Sequence, residues 1–91
     1  MRVARRLRVR GRVQGVGFRY FVAEAARASG VHGWVRNCPD GSVEALAVGD
    51  LGAVDRLEDA VRRGPALARV DTVDVSAEVS ADSMDGFRIT T

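Results

Sequence analysis

From Arg5 to Val13 the chain alternates without a break. Leu7, Val9, Gly11 and Val13 fall on one side, and Arg6, Arg8, Arg10 and Arg12 on the other. A period of two predicts a strand with one face buried. The period then changes. From Arg19 to Ser29, Phe21, Val22, Ala25 and Ala26 recur at helical spacing, and Gly30 is a natural stop. Val31 to Asn37 and Val43 to Val48 predict two further strands. Pro39-Asp40-Gly41 between them supplies the turn chemistry of a hairpin.

The second half repeats the alternation of strand and helix. Asp50 stands where a capping residue belongs, ahead of a helix with Leu51, Val54, Leu57 and Val61 on one face. Gly64-Pro65 ends it. Val73, Val75, Ala77 and Val79 alternate with Asp74, Ser76 and Glu78 as a fourth strand, and Phe87 and Ile89 mark a short last one. The order is βαββαβ plus a short C-terminal strand. That predicts an α+β, ferredoxin-like sandwich: an antiparallel sheet with two helices packed on one face. Residues 1–91 are expected to form a single domain, because 91 residues suffice for one small core and not for two.

Composition narrows the chemistry. Every basic side chain is arginine. Without lysine there is no Schiff-base chemistry and no Walker-type loop, which needs a Gly-Lys pair. One histidine, His32, rules out a multi-histidine metal site, and no cluster has metal-ligand spacing. No Ser-His-Asp set can be assigned from spacing. Cys38 alone cannot form an internal disulfide, and its neighbours suggest a turn and a spectator role. No apolar run is long enough to span a membrane, and no apolar segment follows the basic N-terminus as in a signal peptide. These features predict a cytoplasmic protein.

The junction between the first strand and the first helix, GRVQGVGFR from Gly11 to Arg19, is the most informative stretch. Gly15 and Gly17 permit backbone shapes that leave amide N–H groups uncovered. Those amides would sit at a helix N-terminus, which favours an anion. Arg19 adds a planar, permanently charged fork. A phosphate or carboxylate pocket is the functional reading, and a plain tight connection is the structural one. Two other motifs fit less well. Tyr20 stands where a dinucleotide fingerprint needs its third glycine. An RNA-recognition motif would place GVGFRYFV on a central strand, and here it crosses a turn into a helix.

The arginine row on the first strand raises nucleic-acid binding as a possibility. A first strand lying between the third and fourth would instead meet Glu44, Asp74 and Glu78 on the same exposed face. Aromatic content of 5% and a net charge of +2 favour that pairing over nucleic acid. Trp34 is expected to cover sheet or loop surface. Asn37 closes the second strand and shares a face with Val35. It either shapes the turn or uses its amide to orient a water.

Two segments carry a resemblance to the acylphosphatases. Val9 to Arg19, VRGRVQGVGFR, is similar to the family's phosphate-loop signature. Gly33 to Gly49, GWVRNCPDGSVEALAVG, is similar to its second signature. The resemblance implies hydrolysis of the carboxyl–phosphate bond of acyl phosphates with neither metal nor organic cofactor. It implies that Arg19 binds the phosphoryl oxygens and that the amides of Gly15, Val16, Gly17, Phe18 and Arg19 complete the cradle. It also implies that Asn37 holds the attacking water and that a substrate oxygen takes the water's proton. The expected partners are a small-molecule acyl phosphate, and inorganic phosphate as product and competitor. Membrane and nucleic acid are not expected partners, and the chain is expected to act as a monomer. A binding module without turnover, such as occurs inside larger maturation proteins, is the competing reading. Retention of both Arg19 and Asn37 favours the enzyme.

Overall fold

The alternation of apolar and arginine positions at the N-terminus forms β1 (Arg2–Arg12), with Leu7 and Val9 fully buried. The computed structural model describes residues 1–78 and 84–91. After β1 come α1 (Phe18–Ser29), β2 (His32–Asn37), β3 (Val43–Asp50), α2 (Leu51–Arg63), β4 (Arg69–Ala77) and β5 (Phe87–Thr90). The sheet order is β4-β1-β3-β2-β5. Both helices pack on the same face, where Leu7, Val9, Phe18, Val22, Val35, Val43, Val54, Leu57 and Val61 join one continuous core.

The expected ferredoxin-like arrangement is present, with the first strand between the third and fourth. Four strands are antiparallel, whereas β5 joins β2 in parallel, so the sheet is mixed. Helical hydrogen bonding starts one residue earlier than the periodicity suggests. Phe18 is helical and fully buried, while Phe21 and Ala25 only lean on the core. Leu51, expected on the inner face of α2, is exposed, and Ala53 and Ala60 take part in that face instead. Asp50 occupies the N-cap position without a side-chain cap hydrogen bond. The amide of Leu51, which follows it, donates to the Met1 carbonyl (2.8 Å). β4 begins at Arg69, four residues before the alternation becomes visible, and Val79 lies outside the described residues.

Strand direction decides which strand ends lie together. β1 and β2 each run antiparallel to β3, so they point the same way. Val9, Val43 and Asn37 lie side by side across β1, β3 and β2. The C-terminal ends of β1 and β2 therefore meet at one edge. Residues level with one another in a ladder share a face. Asn37 accordingly faces the side of buried Val9 and Val43, the helix-covered side. Arg8, Glu44 and Arg36 form the next row and face the other way.

Candidate functional site

The loop after β1 is held at both ends and open in the middle. Val13 and Phe18 are each 1% exposed, and Gly15 and Gly17 between them are exposed. The Phe18 ring packs against Phe21, with centroids 6.3 Å apart. Just before the loop, β1 slips register against β4 at Arg10/Gly11. There a Cβ on Gly11 would lie 2.1 Å from the Arg69 carbonyl oxygen, so β4 passes too close for any side chain. Such a bulge re-aims the strand that follows it.

Within the loop, Gly15 (φ 74°) and Gly17 (φ 78°) adopt left-handed backbone, while Val16 and Phe18 do not. Alternation of this kind turns successive N–H groups toward a common point and forms an anion-binding concavity. Gly17 is the N-cap of α1, without a side-chain cap. The first helical bond runs from Phe21 N–H to the Gly17 carbonyl (3.0 Å). Among the described residues, no carbonyl accepts from the amides of Gly15, Val16, Gly17, Phe18 or Arg19. An ideal Cβ on either glycine would meet nothing within 4 Å, so neither glycine is required by crowding.

Arg19 follows as the second residue of α1 and is partly buried. Among the described residues it has no carboxylate or hydrogen-bond partner. Several other arginines are engaged. Arg5 reaches Asp55 and Glu58, Arg6 reaches Glu78 and Glu44, and Arg10 reaches Asp74. Arg27 donates twice to the Phe87 carbonyl. A cation left uncommitted at the positive end of a helix is unfavourable by itself. It is suited to an anion that binds both helix end and side chain.

Asn37 lies at the same sheet edge. Its Oδ1 is buried and accepts no hydrogen bond from any described residue. A buried acceptor without a partner costs about 1–3 kcal/mol, so its retention calls for a reason. The turn after it is tightly made. Cys38 N–H donates to the Ser42 carbonyl (2.8 Å), and Gly41 N–H to the Cys38 carbonyl (3.1 Å). Asp40 accepts from both the amide and the hydroxyl of Ser42. Those bonds from Ser42, first the hydroxyl and then the amide, hold the Asp40 carboxyl below its ordinary value. Cys38 is buried within this turn.

The opposite face of the sheet is a paired-charge surface. Glu44 is 4% exposed and receives Arg6, Arg8 and Arg36. Burial pushes its carboxyl up, and the hydrogen bonds from Arg36 and Arg6 more than offset that, leaving it below the usual range. Alternation correctly placed Glu44 on this face but not its burial, which accompanies its pairing with three arginine guanidiniums. Trp34 stands among them, with the Arg6 and Arg36 guanidinium carbons 5.6 and 5.3 Å from its ring. His32 is structural, its Nδ1 accepting from Gly86 N–H at 2.8 Å.

Sequence reasoning missed Gln14. Its Nε2 donates to the carbonyls of Cys38 (2.8 Å) and Ser42 (2.9 Å), which joins the loop to the turn after Asn37. The only local signal was a polar residue between a buried valine and a glycine. Among the described residues, no three His, Cys, Asp or Glu side chains are grouped so as to hold a metal ion. Among the described residues, no helix is long and apolar enough to cross a membrane.

Known proteins share this sequence and fold. The acylphosphatase family model matches residues 5–89. An acylphosphatase of Thermococcus kodakarensis is 50% identical over 88 residues, 97% of this chain and 96% of that protein. One from Salinibacter ruber is 52% identical over 82 residues, 90% and 86% of the two chains. The crystal structure of acylphosphatase from Bacillus subtilis superposes with a TM-score of 0.95 at 40% identity and covers both chains completely. The chain thus belongs to the acylphosphatase family, hydrolases that act on the acyl-phosphate bond.

Proposed function

We propose that the Gly15–Arg19 loop holds the phosphoryl group of a small acyl phosphate while Asn37 orients the attacking water. The observation that carries this reading is the convergence at one sheet edge. Uncommitted amides and an uncommitted arginine follow the end of β1, an orphaned buried amide oxygen stands at the end of β2, and Gln14 ties the two segments together.

The chemistry suits such a site. The carboxylate of an acyl phosphate is a good leaving group, so strong acid catalysis is not required. A loose phosphoryl-transfer transition state spreads charge over three equatorial oxygens and needs positioning and charge stabilisation above all. The amides of Gly15, Val16, Gly17, Phe18 and Arg19 and the Arg19 guanidinium supply preorganised donors for those oxygens. Asn37 Oδ1 accepts from the water, whose oxygen attacks phosphorus in line with the departing carboxylate. The new P–O bond forms as the carboxyl P–O bond breaks. The water's proton passes to a phosphoryl oxygen, so no protein base is needed. The products are a carboxylate and inorganic phosphate.

Arg19 and the helix end supply the positive charge, so the proposed reaction uses no metal and no organic cofactor. Phosphate, which fits the same cradle, is expected to compete with substrate. The continuous core supports residues 1–91 acting as one domain. A single cysteine fits a reducing, cytoplasmic setting. The test is phosphate release from acetyl phosphate or benzoyl phosphate by purified protein, with and without EDTA and added phosphate. Turnover that survives EDTA and is inhibited competitively by phosphate is expected. Absence of turnover would leave a binding module, and loss in EDTA restored by a divalent ion would contradict the metal-free reaction.

A further inference from the structure

We infer that Gln14 is a positioning residue that sets the distance between the phosphate cradle and the water-holding Asn37. The inference rests on the roles proposed above for Arg19 and Asn37. The β1–β3 ladder ends at Val9↔Val43 and the β2–β3 ladder at Asn37↔Val43. Beyond those pairs, among the described residues, no ladder hydrogen bond connects the cradle to the turn that follows Asn37. Gln14 makes that connection instead. Its amide nitrogen has two hydrogens, and each reaches one carbonyl of the turn: Cys38 at 2.8 Å and Ser42 at 2.9 Å. The partners fix which end of the amide points there, because two carbonyls can only accept.

The path is short on both sides. Gln14 is bonded directly to Gly15, the first residue of the cradle, and Cys38 directly to Asn37. One side chain therefore spans the gap between the group that holds phosphorus and the group that holds water. No other residue type offers two donors from one neutral atom on a stem of this length. Methionine has similar reach and no donor. Glutamate would turn two acceptors toward two carbonyls. Asparagine keeps both donors on a stem one methylene shorter. Misplacement of a catalytic group by about 1 Å can cost on the order of 100-fold in rate, so loosening this tether should appear in the chemical step.

The test is Gln14→Met made alone and together with Asn37→Ala, read by kcat, by calorimetric titration with inorganic phosphate and by melting. Gln14→Met is expected to lower kcat about 10- to 100-fold while phosphate affinity stays within about threefold. In the Asn37→Ala background the same change should lower kcat less than about twofold, because the group it positions is already gone. Gln14→Asn should fall between wild type and Gln14→Met, and it stands in if Gln14→Met does not fold. Wild-type kcat in Gln14→Met, with Asn37→Ala crippled, would overturn the positioning role and leave the proposed mechanism intact. Equal losses in kcat and phosphate affinity, or full additivity in the double variant, would also overturn it. Wild-type kcat in Asn37→Ala would overturn the mechanism itself, and the inference with it.

Discussion

Arg19 gives a prediction in which stability and activity move in opposite directions. It is a partly buried cation at the second position of α1, with no anionic partner among the described residues. Arginine and glutamine have similar helix propensities, so Arg19→Gln changes little besides charge. Removing a positive charge from the positive end of a helix is worth about 0.3–1 kcal/mol. Unfolding 91 residues carries an entropy of about 0.19 kcal/mol/K, so the variant should melt about 2–5 °C higher in phosphate-free buffer. Its transition-state stabilisation should fall by about 2–4 kcal/mol, which is roughly 30- to 1000-fold in kcat/KM. Adding phosphate should raise the wild-type melting temperature, through binding to the native state only, and should move the variant much less. Arg36→Gln is the control. The same chemical change removes two donors from buried Glu44 and should cost about 1–2 kcal/mol, since Glu44 keeps Arg6 and Arg8. Differential scanning calorimetry and acetyl phosphate kinetics on both variants provide the check. A destabilised Arg19→Gln protein with near-normal kcat/KM would place Arg19 outside the phosphate site.

Other residues give independent tests. The Glu44 carboxyl lies below its ordinary value in the fold, so the stability it contributes is complete above about pH 4.5 and is lost as pH falls through the depressed value. Urea unfolding of wild type and Glu44→Gln should therefore show a gap at pH 7 that closes in acid, and a gap that widened in acid would contradict the pairing. At Gly17 the obstacle to a side chain is φ alone, because a Cβ would meet nothing. Gly17→Ala should lose about 1–2 kcal/mol and Gly17→Asn less than half of that, and equal losses would point away from backbone strain.

How much of this was legible in the sequence depended on whether the signal was local. Period two at Leu7, Val9 and Val13 and period 3.6 along both helices are carried by neighbouring residues, and they yielded the element order and the family's sheet. The loop glycines and Arg19 pointed to the anion site proposed here because strand, turn and helix start are contiguous. What failed to show depends on partners distant in sequence. Nothing near Phe87 says that its strand will run parallel to β2. Nothing near Asp50 says that the Met1 carbonyl will take the first amide of α2. Glu44 is charged, and only the arrival of Arg6, Arg8 and Arg36 explains its burial. Gln14 lies 24 residues from Cys38 and 28 from Ser42, so nothing local beyond its polar side chain pointed to the tether.

In the proposed mechanism binding and chemistry reside in different residues, phosphate on the loop with Arg19 and water on Asn37. Asn37→Ala tests it most directly, with kcat on acetyl phosphate and calorimetric phosphate affinity measured on the same preparation. The cradle and its charge are untouched in that variant, so phosphate should bind with near wild-type affinity. The water loses its acceptor, so kcat should fall by about 100-fold or more, as expected for a group that acts in the transition state. A folded Asn37→Ala protein with wild-type kcat, or one that lost kcat and phosphate affinity in equal measure, would contradict the claim.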